Sequence, residues 1–314
     1  METPGRGSPF ALIGILLSMA AFAGCGTVPG AAPQHHALRR AAVRAREGAR
    51  RRSDGSRPRR PPGPSALPPL PEPTAQKPLT ILVVGDSLGE DLGMGLRDLI
   101  GAQPDVRLYT EAVGSTGLVD TAYYDWPEAL RGELVRYHPE LVVALFGGND
   151  ALSFDQAGRY VAFGSALWRA DYGGRVAAML RESRQAGARV VWVGLPMMAP
   201  DSVLSNGSME ELNAVYAAEA AANRGVAFVS TWNLFTTPQG QYAEDLRDSA
   251  GQLEVVRDPD GVHIAPSAGT DLIATAVLAG VDAAEGIRLC PRTLGMWRGL
   301  LPKECLPSGT ASAN

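Results

Sequence analysis

From Leu79 onward the chain alternates short, almost wholly apolar runs with segments of helical length, and that alternation leaves few folds open. Residues 79–84 read as a buried strand, and the amphipathic residues 90–100 as the helix behind it. Residues 106–112 make a second strand. Residues 127–137 make a helix, with Pro127 suited to a first turn. Residues 141–146 are as continuously apolar as parallel strands tend to be. A helix over 172–186 stops at Gly187, and a fourth strand follows over 190–195. Residues 208–223 form a helix, 226–230 a fifth strand and 267–284 the last helix. Strands separated by such helices imply right-handed βαβ crossovers and a parallel sheet covered on both faces. The expected fold is therefore α/β, a three-layer sandwich around a five-stranded parallel sheet. Long loops at 147–171 and 231–266 interrupt the alternation.

Charge divides the chain in two. Residues 26–78 carry ten Arg and Lys77 against Glu47, Asp54 and Glu72, whereas the chain from Leu79 holds 17 basic and 29 acidic side chains, net −12. An acidic body argues against nucleic acid as a partner, because neutralising phosphates needs a basic face. Residues 26–78, rich in Pro and Arg and poor in apolar side chains, cannot cover the entropy of ordering and read as a disordered linker. Before them, Arg6 and the apolar stretch 10–23 make residues 1–25 an export signal, too short to span a bilayer comfortably. Two processing readings stay open. Ala21-Phe22-Ala23 fits an ordinary secretory cleavage site, and Phe22-Ala23-Gly24-Cys25 resembles a lipoprotein box in which Cys25 is lipidated and anchors the protein to a membrane. Both place the body, residues 79–314, outside the cytoplasm, in the periplasm or cell envelope. In such a compartment Cys290 and Cys305 can close a disulfide across the C-terminal tail. No Cys/His cluster has metal-ligand spacing, so neither a metal nor another cofactor is expected.

Ligands of open parallel sheets bind outside the carboxyl ends of the strands. Strand one ends in Gly85-Asp86-Ser87-Leu88, where Ser87 sits at a helix N-terminus as an exposed nucleophile can. Strand three ends in Gly147-Gly148-Asn149-Asp150, whose Asn149 amide can donate to an oxyanion. Gly114-Ser115-Thr116-Gly117 follows strand two and can present a backbone N–H. Asp260-Gly261-Val262-His263 precedes the last helix, with a carboxylate placed to fix the imidazole tautomer. Each alone has an ordinary meaning as a turn or helix cap. Together they supply the nucleophile, base, orienter and oxyanion donors that acyl transfer needs.

Gly85-Asp86-Ser87-Leu88, Gly147-Gly148-Asn149-Asp150 and Asp260-Gly261-Val262-His263 resemble blocks I, III and V of the SGNH (GDSL) hydrolases. Ser115-Thr116-Gly117-Leu118, Asp125-Trp126-Pro127, Trp168, Tyr172, Arg175 and Val191-Trp192-Val193-Gly194-Leu195-Pro196 resemble the periplasmic DUF459 subgroup. The resemblance covers residues 79–287. It implies a flavodoxin-like SGNH fold and an esterase releasing a short acyl group, acetyl above all. The substrate would be an acylated carbohydrate of the envelope or an exported polysaccharide, or another small ester. Ser87 would be the nucleophile, His263 the general base and Asp260 its orienter. Gly117, Asn149 and the Ser87 amide would form the oxyanion hole, with Gly114 competing for the place of Gly117 because Glu111 stands where the family often has Asn. Asp86 is expected as a local acceptor and Asp150 as a loop anchor. Trp126, Trp168 and Tyr242 are candidates to line a sugar cleft. An O-acyltransferase using the same triad and a non-catalytic envelope-binding module are the rival readings.

Overall fold

The computed structural model describes residues 70–289, 291 and 296–300. The export signal, Cys25, Cys290, Cys305 and most of the linker therefore lie outside the described residues. In chain order come β1 (Leu79–Gly85), α1 (Ser87–Ile100), β2 (Val106–Ala112), α2 (Trp126–Tyr137) and β3 (Leu141–Leu145). They are followed by β4 (Phe154–Gln156), β5 (Arg159–Val161), α3 (Ala166–Gln185), β6 (Arg189–Val193) and α4 (Asn206–Ala222). The last are β7 (Val226–Val229), β8 (Asp245–Arg247), β9 (Leu253–Val255) and α5 (Ala268–Glu285).

Five strands pair in the order β2-β1-β3-β6-β7, all parallel. α1 packs on α5 along one face, while α2, α3 and α4 follow one another on the other. The three-layer α/β sandwich with a five-stranded parallel sheet is thus the observed fold. The order reverses between β1 and β3, the topological switch point at which such sheets open a crevice. Every residue of β1 and β3 is buried, as their unbroken apolar runs require. Their closest approach depends on Gly85, where a Cβ would meet the Leu145 carbonyl oxygen at 2.1 Å.

Three features differ most from the sequence reading. α3 starts at Ala166, six residues before residue 172, because the Ser165 hydroxyl accepts from the Trp168 amide at 3.1 Å and caps it. The loops 147–171 and 231–266 each contain a small antiparallel hairpin, β4–β5 and β8–β9. The end of the expected linker, residues 70–78, is already tied down. There Thr74 and Lys77 exchange backbone hydrogen bonds at 3.0 Å, and Leu70 rests against the core.

Candidate active site

Asp86 follows β1 and caps α1, so Ser87 emerges as the first residue of that helix. His263 lies across from it on the turn before α5. Its Nε2 is 2.9 Å from the Ser87 hydroxyl and its Nδ1 is 2.6 Å from Asp260 Oδ2. The other Asp260 oxygen accepts from the Val262 and His263 amides at 2.8 and 2.9 Å, so the carboxylate fixes its own turn as well as the ring. Burial opposes the charge of Asp260, yet the bonds from His263 and Val262 prevail and hold its carboxyl at about 2. Burial likewise disfavours the imidazolium, but Asp260, Asp91 and Asp258 outweigh it and raise His263 above its ordinary value. His138, the other histidine of the body, caps the far end of α2 in a left-handed conformation, φ 46°, and leads into the opposite end of the sheet.

The donor side is built by two loops. Asn149 Nδ2 gives one proton to the Thr116 carbonyl at 2.8 Å, which leaves its second for the cleft. Gly117 lines the same cleft beside Asn149. Its competitor Gly114 spends its amide on the Glu90 carboxylate at 3.0 Å, which favours Gly117 as the donor. Position 117 admits only glycine, since a Cβ there would lie 2.2 Å from Asp150 Oδ1. Asp150 anchors this loop through the Leu118 and Val119 amides at 2.9 and 2.8 Å, and Tyr172 donates to it at 2.7 Å. From outside, Arg175 donates to the Leu118 and Val119 carbonyls at 2.7 and 2.8 Å. Asp86 ties the nucleophile turn to the Asn149 loop, accepting from Leu88 and Gly147, each at 3.0 Å. Its complete burial, together with the field of Asp150, pushes its carboxyl up to about 7 against the pull of the two amides.

The aromatic candidates need correction. Trp126 and Trp168 are 1% and 0% exposed, so neither lines a cleft. Each instead underpins a loop that does. Trp126 Nε1 donates to the Thr116 hydroxyl at 3.0 Å, and Trp168 Nε1 to the Leu152 carbonyl at 2.9 Å while its ring stacks on Tyr172. Large flat rings with one donor each bury well at such joints. Trp126→Phe removes that donor and leaves part of the indole's volume empty; it is expected to cost about 2 kcal/mol in urea unfolding. Tyr242 is half-buried and faces the Arg257 guanidinium, 5.3 Å from its ring, and is not among the residues lining the cleft around Ser87 and Asn149.

Arg257 itself escaped the sequence reading. Fully buried, it donates to the carbonyls of Met197 (2.7 Å), Val262 (2.8 Å), Gly261 (3.2 Å) and His263 (3.2 Å), and it reaches Met198 Sδ at 3.5 Å. The rings of Phe235 and Tyr242 lie 5.0 and 5.3 Å from it. It therefore clamps the Asp260–His263 turn to the chain leaving β6. Asp91 of α1 was missed too. It accepts from the Ile264 amide at 3.0 Å, and burial raises its carboxyl to about 6. A lone Arg or Asp in sequence gives no sign of such a partner. Among the described residues, no group of three or more His, Cys, Asp or Glu is placed to hold a metal ion.

Fold and site together define a parallel α/β protein with a Ser–His–Asp array at its switch point. The chain belongs to the DUF459 family, described as proteins of unknown function, whose model matches residues 80–280. No curated protein matches it. Among solved structures it is similar to a lipase/acylhydrolase from Enterococcus faecalis, at 18% identity and TM-score 0.46, over 65% of this chain and 96% of that one. It is also similar to a GDSL-like lipase from Bacteroides thetaiotaomicron, at 17% and 0.47, over 68% and 93%. A carbohydrate esterase family 3 protein from Talaromyces cellulolyticus matches at 15% and 0.44, over 63% and 94%.

Proposed function

We propose that this DUF459 protein is a serine ester hydrolase of the SGNH type. The observation that carries the reading is the continuous hydrogen-bonded line from Asp260 through His263 to the Ser87 hydroxyl. His263 Nε2 takes the Ser87 proton as Oγ attacks the ester carbonyl. The oxyanion collects hydrogen bonds from the Ser87 and Gly117 amides and the free Asn149 proton, one good donor contributing roughly 2.7–4 kcal/mol. Collapse expels the alcohol, which leaves with the proton from His263. Water, deprotonated by the same imidazole, then releases the acid and restores Ser87. Asp260 stays ionised throughout and stabilises the imidazolium.

The substrate is a small ester, an acylated carbohydrate among them, and the export signal and the linker support its meeting the enzyme outside the cytoplasm. Turnover of p-nitrophenyl acetate by the full chain, with covalent labelling of Ser87 by a fluorophosphonate, tests the chemistry. Absence of labelling would leave a binding module on this fold.

Only neutral His263 can act as base, so the rate is expected to fall as pH drops through its raised pKa. Asp260→Asn removes the carboxylate that raises it. The acidic limb of kcat/KM should then move to lower pH, while kcat falls on the order of 10⁴-fold. An acidic limb that stays in place in this variant would show that another group governs the profile.

A further inference from the structure

The cleft has two compartments that meet at Gly148, Asn149, Val203 and Leu204. The smaller, about 220 Å³, holds Ser87, Asp260 and His263, with Leu88 and Val262 on its wall. The larger, about 520 Å³, begins beyond the oxyanion donors and contains neither Ser87 nor His263. Chemistry sets which half of an ester enters each. The departing alcohol oxygen must face His263 Nε2 to receive its proton, so the alcohol leaves through the smaller compartment. The carbonyl oxygen takes the Asn149 and Gly117 donors, so the acyl substituent, the remaining arm of the tetrahedral carbon, is left the opening beside Val203 and Leu204 into the larger compartment.

Resting on the hydrolase reading above, we propose that the larger compartment is the acyl site and that it takes acyl chains of about six carbons rather than acetyl. Its volume lies within the roughly 300–1,000 Å³ range of sites for drug-sized ligands, which two carbons would leave empty. Its walls include Tyr123, Ala151, Leu152, Val203 and Leu204. Three of these, Tyr123, Leu152 and Val203, are large apolar side chains left exposed at 66%, 56% and 94%, a cluster at one mouth that a chain of methylenes would cover. Several of the polar groups along the compartment are already engaged nearby. Asp120 accepts from the Tyr123 amide at 3.0 Å, and the Ser205 and Ser208 hydroxyls bond each other at 2.8 Å.

Kinetics of the full chain on p-nitrophenyl acetate, butyrate and hexanoate test this. Each methylene buried raises kcat/KM about fourfold, so hexanoate should exceed acetate by at least tenfold. Ser208→Trp, on α4, and Ala151→Phe, in the loop after β3, each fill the compartment, and each should cut the hexanoate-to-acetate ratio at least tenfold. An unmoved ratio in variants that melt with the parent and label at Ser87 as it does would overturn the assignment. So would slower turnover of an acetylated disaccharide with the acyl profile unmoved, because the compartment would then hold the alcohol. A parent whose Ser87 takes no label and which turns over no ester overturns the hydrolase reading itself, and the acyl site with it.

Discussion

Ser87→Ala and His263→Ala are each expected to lower kcat for ester hydrolysis on the order of 10⁶-fold, and the double variant is expected to fall no further. The reason is that the two side chains act as one unit. The hydroxyl is a weak nucleophile until the imidazole 2.9 Å away takes its proton, and without the Ser87 oxygen the imidazole has no acyl-enzyme to form or to hydrolyse. Residual rate over water should persist in both, because the proposed oxyanion donors, Asn149 and the Gly117 amide, are left in place. Steady-state kinetics on p-nitrophenyl acetate, with active-site titration to exclude traces of parent enzyme, read the effect. Additive losses in the double variant would mean that Ser87 and His263 act in separate steps. Neither substitution should lower the melting temperature much, as both side chains are partly exposed.

Arg257→Met should destabilise the fold by about 3–5 kcal/mol and loosen the catalytic turn. Methionine fills part of the space but leaves the carbonyls of Met197 and Val262 buried without a donor, while those of Gly261 and His263 keep only the Ala199 and Asp258 amides. Each orphaned acceptor costs about 1–3 kcal/mol before relaxation. Arg257→Lys keeps the charge but lacks the planar fork, so it should recover only part of the loss. The urea midpoint measures stability, and the rate of fluorophosphonate labelling reports on the turn. A midpoint within experimental error of the parent would show that water or neighbouring amides replace the guanidinium.

How far the sequence carries can be seen from particular elements. β2 over Val106–Ala112 falls where its residues predict, because an apolar run bounded by turn residues signals a strand locally. Ser87, Asn149, Gly117, Asp260 and His263 were legible as well, because strand ends concentrate chemistry and the spacing within Asp260-Gly261-Val262-His263 is local. α3 was begun too late because its cap, Ser165, lies outside the apolar period. Trp126 and Trp168 were misplaced for a deeper reason. Composition cannot tell a ring that faces a ligand from one that holds a loop; that depends on whether Thr116 Oγ1 or the Leu152 carbonyl meets the indole N–H.

The sequence by itself determined the parallel sheet, its order of strands and helices, and which residue types stand at the strand ends, because periodicity and capping act over a few residues. Only the tertiary structure decided that Gly117 rather than Gly114 is free to donate, that Arg257 clamps the histidine turn, and that the cleft divides at Val203 and Leu204. Those outcomes rest on hydrogen bonds and contacts between segments tens of residues apart, and no local pattern records which distant group will satisfy a buried donor or close a cleft.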